Sequence, residues 1–176
     1  MTHLQKSDVI KKRKMDQIQK RFNKQGVVPL LGMLFMSFAV HAQTQSITIP
    51  LAGNSWVTTK VGNERVGNNG WINWEHTGTV FSTYVHVKQK GTLQVAASIE
   101  VPIGTSTVAC TVGTKTATTK IKEGKQEYKL GDFTINDTGY IRIDMQGVSK
   151  TGNEFARLQS FQLSGTAINE HTAYVK

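Results

Sequence analysis

The sequence has little cysteine, little proline and no long hydrophobic run, and each shortage excludes a class of protein. The single cysteine, Cys110, has no partner in 176 residues, which excludes a disulfide-stabilised fold. The longest uncharged apolar run, residues 27–40, falls short of the ~20 residues that a membrane-spanning helix needs. Beyond residue 42 the prolines are Pro50 and Pro102, so no proline-rich linker divides that part of the chain.

The sequence also lacks the motifs of common enzyme classes. It contains no Gly-x-Ser-x-Gly elbow, no His-Glu-x-x-His zinc motif and no P-loop. Residues 150–152 (KTG) match one of three β-lactamase motifs, but the other two are missing. A glycosidase needs two carboxylates about 5–10 Å apart, and nothing marks a pair among Glu75, Asp144 and Glu154. Cys110 lies at the inward phase of an alternating run, which predicts a small buried hydrophobe.

The first 42 residues have the pattern of an export signal. Seven Lys or Arg residues between positions 11 and 24 precede the apolar run, and small or apolar residues occupy the last and third-last positions of Val40-His41-Ala42. The sequence therefore predicts a helical signal peptide over residues 1–42 and a mature protein that is periplasmic, on the cell surface or extracellular. Met15 offers a second start, which would give a leader of 28 residues.

The charge of the chain is concentrated in this leader. Residues 1–42 contain eight Lys or Arg and two Asp or Glu, so they hold +6 of the formal net charge of +9. The remaining part carries +3 and has no compact basic run with aromatic residues between its charges. We therefore expect no nucleic-acid partner, and no membrane span once the signal is cleaved.

Beyond Gln43 the pattern is that of short β-strands. Apolar and polar residues alternate over residues 80–87, 92–101 and 140–146, and turns rich in Gly and Asn separate such runs. Strands that each bury one face predict an all-β fold, an antiparallel β-sandwich of jelly-roll or galactose-binding-like type. Residues 43–165 form one domain in this interpretation, and residues 166–176 are a C-terminal linker stub.

The segment after a Gly- and Asn-rich loop, residues 62–70, has the residue types of a sugar site. Sugar C–H faces stack on aromatic rings, and sugar hydroxyls need both donors and acceptors, as Asn supplies. Strand alternation puts Trp71 and Asn73 on one face and Trp74 on the core side, so Trp71 is the stacking candidate. Covering an edge of the sandwich is the alternative role for Trp71. Trp56 is predicted to lie in the core.

A second place for a saccharide is the polar face of one predicted sheet. Polar residues at outward strand positions would meet there, since alternate residues of a strand point to the same side. An ordinary solvated sheet face is the alternative interpretation of the same pattern. The residues concerned are Tyr84, His86, Gln94, Arg142, Asp144 and Gln146.

Several motifs in a fixed order resemble a known family. They are residues 49–54 (IPLAGN), 73–74 (NW), 79–84 (TVFSTY), 101–106 (VPIGTS) and 139–152 (GYIRIDMQGVSKTG). Together they are similar to the secreted bacterial module known as domain of unknown function family 5077. The resemblance implies a sandwich like that of carbohydrate-binding modules, placed ahead of a second uncharacterised domain that is missing here. It brings no established catalytic residues.

The leading hypothesis is an exported, non-catalytic β-sandwich that binds carbohydrate or positions a neighbouring domain on glycans. The alternatives are a glycoside hydrolase or other carbohydrate-active enzyme, using Asp144 and Glu75, and a purely structural spacer of a truncated protein. No catalytic residue, metal ligand or cofactor is assigned; a structural calcium ion on Glu64 or Asp144 has no ligand spacing in its favour. The predicted ligand-binding residues are Trp71, Asn73, Tyr84, Asp144 and Lys150, with Trp71 stacking on a sugar.

Overall fold

The computed structural model describes residues 45–175, which contain strands and turns but no helix. Val, Ile, Thr and aromatic residues alternate there with polar ones, and this favours strands that bury one face. The strands are β1 (Ser46–Pro50), β2 (Ser55–Thr59), β3 (Arg65–Gly67), β4 (Gly70–Ile72), β5 (Val80–Val87), β6 (Gly91–Val101), β7 (Ser106–Val112), β8 (Lys115–Ile121), β9 (Gly124–Ile135), β10 (Gly139–Lys150), β11 (Arg157–Ser164) and β12 (Ala173–Tyr174).

These strands form two sheets and one hairpin, and all pairs are antiparallel. The four-stranded sheet has the order β1-β11-β6-β9. The six-stranded sheet has the order β12-β5-β10-β7-β8, with β2 also paired to β5. The short strands β3 and β4 pair only with each other among the described strands. The chain is therefore an antiparallel β-sandwich, and the predicted all-β fold is confirmed.

The core lies between the two sheets, and the predicted alternation places it there. In β5, Phe81, Val85 and Val87 are buried, as the sequence pattern predicts. In β10, Ile143 and Met145 are fully buried and face the same core. Cys110 is buried as well, which confirms its assignment as a small hydrophobe, and burial followed by the nearby Asp144 charge raises the pKa of its thiol to about 12.

The C-terminal segment packs against the sandwich, so the expected linker from residue 166 is wrong. Ala167 and Ile168 are buried, and the Ala167 amide donates a hydrogen bond of 2.9 Å to the Thr92 carbonyl. The strand β12 then adds to the edge of β5, and the Val175 amide donates to the Tyr84 carbonyl at 3.3 Å. Two buried residues and a two-residue strand are too short to show a period in the sequence.

The predicted signal peptide, residues 1–42, and the second start at Met15 lie outside the described residues and stay predictions. Within residues 45–175 no helix is long and apolar enough to span a membrane.

Candidate functional site

The outer surface of the six-stranded sheet carries a group of aromatic side chains, which we call the aromatic face. Trp56 of β2 lies opposite Ser82 of β5, and its ring meets that of Tyr84 edge-on, with centroids 5.6 Å apart. Further along β5, His86 lies opposite Tyr140 of β10, and their rings are 4.8 Å apart. The four rings therefore follow β5, on the side that faces away from the core.

A hydrogen-bonded chain of polar side chains lies beside these rings. Ser82 Oγ donates to Asp144 Oδ1 at 2.6 Å, so its single proton is used. Thr58 Oγ1, 2.7 Å from Ser82 Oγ, must then be the donor of that pair. Arg142 completes the chain with a contact of 2.9 Å to Asp144 Oδ2. Both carboxylate oxygens of Asp144 are thus occupied, and the whole group is held in one arrangement.

Arg142 is the accessible member of its ion pair with Asp144. Its side chain is 56 % exposed, whereas that of Asp144 is 16 % exposed. The Asp144 charge, followed by the Tyr84 oxygen, raises the pKa of Arg142 above its ordinary value, so the guanidinium is cationic at all relevant pH. A guanidinium has five N–H donors, and Asp144 engages one side of it. The aromatic face therefore offers fixed donors next to its rings.

A depression of about 570 Å³ adjoins the Tyr140 end of the aromatic face. It forms because β7 ends at Val112, opposite Ile143, so none of the described strands pairs with the first residues of β10 on that side. Tyr140 and Arg142 line it together with the β7–β8 and β9–β10 turns. Tyr140 is 70 % exposed, so a ligand on the face can reach this depression past its ring.

Trp71, predicted to stack on a ligand, is a core residue, and that prediction is wrong. Its side chain is 3 % exposed, it stacks on Phe81 with centroids 4.4 Å apart, and its Nε1 donates to Ser55 Oγ at 2.8 Å. The strand alternation does not continue from Trp71 to Trp74, because Asn73 has a φ of 57°, which turns the chain between the two tryptophans. Trp71 and Trp74 consequently both enter the core, at 5.5 Å from each other.

Trp56, predicted to lie in the core, is 38 % exposed on the aromatic face, so that prediction is also wrong. Its neighbour Val57 takes the inward position and packs against the core instead. In β2 a serine and a valine lie on the two sides of Trp56, and both point inwards. Because a serine at an inward position breaks the apolar–polar alternation, the sequence does not show which side of β2 is buried. Ser55 is buried because its hydroxyl accepts a hydrogen bond from Trp71 and donates one to the Leu51 carbonyl. The sequence pattern does not reveal this burial.

Asn73 lines a second cavity, which we call the rim pocket. This cavity of about 390 Å³ lies between the β3–β4 hairpin and the outer surface of the four-stranded sheet. Of the residues predicted to bind ligand, the structure therefore brings Tyr84 and Asp144 together on the aromatic face and puts Asn73 elsewhere. The residues that line the rim pocket are Asn69, Trp71, Ile72, Asn73, Ser98, Glu100, Lys125, Glu154, Arg157 and Gln159.

Lys150 and Gln94 are separate from both groups. Lys150 Nζ donates to the carbonyls of Gly152 and Asn153 and lies 5.5 Å from the centre of the Phe155 ring. Its ammonium group thus stabilises its own turn. Gln94 belongs to β6 of the four-stranded sheet, where its amide donates to Asp132 at 3.1 Å. The other five residues predicted to share a polar face do lie on the six-stranded sheet, in β5 and β10.

Glu64, a suggested calcium ligand, is a buried carboxylate that holds a loop. The amides of Gly62 and His76 donate to it at 2.7 and 3.1 Å, and His76 Nδ1 lies 2.6 Å from its Oε1. Burial alone would raise its pKa, but the hydrogen bonds from backbone amides, His76 and Thr79 outweigh it and lower the pKa to about 2. Within residues 45–175 no three His, Cys, Asp or Glu side chains cluster closely enough to hold a metal ion.

The comparison with protein families identifies the chain. Residues 49–168 match the family model described as Domain of unknown function (DUF5077), which is more than half of the chain. The chain belongs to the DUF5077 family. The family resemblance seen in the sequence motifs is therefore confirmed. No curated protein matches this DUF5077 chain.

Solved carbohydrate-binding modules share the fold of this DUF5077 chain. The CBM35 from Cellvibrio japonicus Abf62 has a TM-score of 0.54 at 10 % identity, over 75 % of this chain and 99 % of that chain. The CBM36-1 domain of a multidomain xylanase from the hindgut metagenome of Trinervitermes trinervoides has a TM-score of 0.51 at 13 % identity, over 70 % and 100 % of the two chains. At these identities the likeness shows the fold alone.

An enzyme also contains a domain of this fold. A family two carbohydrate esterase from Cellvibrio japonicus has a TM-score of 0.51 at 17 % identity, over 76 % of this DUF5077 chain. The matched part is 36 % of the esterase, so this chain spans about a third of that protein. The two modules, in contrast, are matched over nearly their whole length.

Proposed function

We propose that this DUF5077 chain is a non-catalytic carbohydrate-binding module whose ligand lies on the aromatic face. The observation that supports it best is the pair of the exposed Trp56 and the half-buried Tyr84, whose ring centroids are 5.6 Å apart, next to the fixed donors of Arg142. An aromatic ring takes the apolar C–H face of a sugar, and the charged donors take its hydroxyl oxygens. The fold shared with CBM35 and CBM36 modules supports the same ligand class.

The shape of the aromatic face fits a stretch of chain better than a single sugar. Its rings extend from Trp56, opposite Ser82, to Tyr140, opposite His86, which is four residues along β5. At about 3.3 Å per residue this is roughly 13 Å. We expect an extended saccharide to run parallel to β5, with its hydroxyls towards Arg142 and one end towards the 570 Å³ depression.

An enzymatic role based on Asp144 and Glu75 has less support. A general acid or nucleophile needs a carboxylate that can reach the substrate, whereas both oxygens of Asp144 are engaged by Ser82 and Arg142. Among the described residues Glu75 forms no hydrogen bond or ion pair with Asp144. Export to the periplasm, the cell surface or the medium belongs to this proposal too, because a glycan ligand would be met there.

Affinity electrophoresis and calorimetry with soluble glucans, xylans and mannans test the proposal. We expect one of these to bind, and Trp56→Ala to weaken it about two- to tenfold, since a stacked ring contributes about 0.5–1.5 kcal/mol. Gln162→Ala is the matched control, because Gln162 is exposed at the same kind of outward position on the other sheet. No binding to any glycan, or equal binding by Trp56→Ala, would overturn the proposal.

A further inference from the structure

The rim pocket has a composition that the fold does not require. Arg157, Glu100 and Lys125 lie side by side across β11, β6 and β9, on the outer surface of the four-stranded sheet. Glu154 adds a second carboxylate, and its contacts to Arg157 are 2.9 and 3.2 Å. Two cations and two carboxylates leave the lining with no net charge. A ligand in this pocket therefore gains nothing from carrying a charge of its own.

The neutral polar groups of the rim pocket are free to bind. Asn69, Asn73, Ser98 and Gln159 line it, and within residues 45–175 their side chains form no hydrogen bond to any other protein group. An amide offers both a donor and an acceptor, and a hydroxyl does the same. Sugar hydroxyls need this combination, because each one donates one hydrogen bond and accepts others. Ile72, which is half-buried, is the apolar part of the wall that can meet the C–H groups of a sugar ring, whereas the ring of Trp71, which also borders the pocket, is buried in the core.

The pocket is preformed by a hairpin that is fixed to the sandwich. Gly70, at the turn of this hairpin, has a φ of +99°, and a Cβ there would come within 1.9 Å of the Leu158 carbonyl oxygen. The hairpin backbone therefore presses directly on β11, which glycine alone allows. Asn73 is held in the left-handed region two residues after the tryptophan that anchors the hairpin in the core. Among the described non-glycine residues no other has a positive φ, and such conformations concentrate at functional sites.

We propose that the rim pocket is a second saccharide site, which takes the end of a neutral glycan chain. Its volume of about 390 Å³ is at the small end of the range for ligand sites, roughly 300–1,000 Å³, so it suits a terminal residue and not a long segment. The aromatic face and the rim pocket lie on outer surfaces of different sheets, which point away from each other. One molecule would thus contact two chains of a polysaccharide.

Calorimetry and NMR titration with neutral cello-, xylo- and manno-oligosaccharides of two to six residues test this inference. Asn73→Gly removes the amide and keeps a residue that tolerates the left-handed backbone, so the hairpin stays intact. We expect Asn73→Gly to weaken oligosaccharide binding at the rim pocket about five- to tenfold and to leave oligosaccharide binding at the aromatic face unchanged. Glu100→Gln, which keeps the side-chain shape, is the second pocket variant, and Gln162→Ala is again the control.

Chain length and stoichiometry distinguish the two sites. We expect two oligosaccharides per molecule, with a pocket affinity that stays flat from two to six residues and a face affinity that rises with length. A double variant, Trp56→Ala with Tyr84→Ala, should retain one ligand, and that ligand should perturb the NMR signals of Asn69, Asn73 and Ser98.

Each failure points to one site. If the wild-type protein bound one ligand and the double face variant bound none, the rim pocket would be excluded as a saccharide site and the aromatic face would be supported. The rim pocket would also be excluded as a saccharide site if both pocket variants bound oligosaccharide as tightly as the wild-type protein. Binding lost in Asn73→Gly but unaltered in the double face variant would overturn the aromatic face and support the pocket.

Discussion

The outer surfaces of the two sheets have the same position in the fold but different side chains. On the four-stranded sheet most outward residues are polar or charged, such as Thr48, Gln94, Glu127 and Gln162, and none of its described strands presents an aromatic ring there. On the six-stranded sheet the outward residues include Trp56 and three further rings. Both surfaces belong to antiparallel sheets whose inner residues fill one shared core.

The difference between the two outer surfaces indicates which residues the fold requires and which it does not. A sandwich needs apolar residues on the two inner surfaces and tolerates polar ones outside. The four-stranded sheet follows that rule, so rings on an outer surface are not a requirement of this fold. Exposed aromatic groups next to a fixed polar network are instead typical of a binding surface.

The buried Trp71 and the exposed Trp56 should differ most clearly in how much their replacement lowers the free energy of unfolding. Trp71→Ala removes a fully packed ring and should lower the free energy of unfolding by about 3–5 kcal/mol. Trp56→Ala removes a ring that is 38 % exposed and should cost about 1 kcal/mol, chiefly its contact with Tyr84. Urea unfolding of both variants measures this. If Trp56→Ala were as destabilising as Trp71→Ala, the aromatic face would be a structural feature.

The buried carboxylate of Glu64 should matter for stability and not for binding. The pKa of about 2 in the folded protein lies below the ordinary value of 4.5 for a glutamate carboxyl, so the charged form is the one that the fold stabilises. That stabilisation is present above pH 4.5 and is lost as the pH falls to 2, and it amounts to about 3 kcal/mol at neutral pH. We expect Glu64→Gln to be less stable by roughly this amount at pH 7.

Unfolding curves between pH 2 and 7 check the Glu64 prediction, with Glu75→Gln as the exposed control. The difference between wild type and Glu64→Gln should shrink towards zero as the pH approaches 2. A difference that stays constant with pH would mean that the carboxylate charge is not what stabilises the loop. Affinity for a glycan should be unchanged, because the hydrogen bonds of Glu64 join Gly62 and His76 and none reaches the aromatic face.

The sequence predicts the sheets of this protein far better than the positions of its tryptophans. Long alternating runs such as residues 80–87 and 140–146 fix which side of a strand is buried, and they correctly place Tyr84 and Asp144 outside. Short elements carry no such signal. Strand β4 has three residues, and the left-handed Asn73 after it shifts the phase, so alternation assigns Trp71 to the wrong side.

A single sequence does not show which residues from distant strands come together in the folded protein. Trp56 meets Tyr84 because β2 pairs with β5 in a particular register, and that register depends on the packing of the whole core. The rim pocket likewise needs the hairpin to lie on β11, which rests on the close approach of Gly70 to Leu158. Nothing in the local pattern of either segment indicates these contacts.

The network next to the rings should affect binding more than stability. Asp144→Asn removes the charge that holds Arg142, while the amide keeps the shape and one acceptor oxygen. We expect a loss of about 1–2 kcal/mol of stability, because a mostly buried charged hydrogen bond is weakened. Affinity for the glycan that binds should fall several-fold, since the guanidinium is no longer fixed. Calorimetry on this variant measures the affinity, and an unchanged value would remove Arg142 from the site.

Placing a ring on the plain surface should have the smallest effect and tests the comparison most directly. Gln162 lies in β11, opposite Thr48 of β1, at an outward position. Gln162→Trp should change stability by no more than about 0.5 kcal/mol, as is usual for an exposed site. It should add no glycan affinity, because the ring there lacks neighbours equivalent to Tyr84 and the Thr58–Ser82–Asp144–Arg142 network. A gain comparable to the loss in Trp56→Ala would show instead that any exposed ring on this sandwich suffices, and the two surfaces would then differ only in the presence of rings.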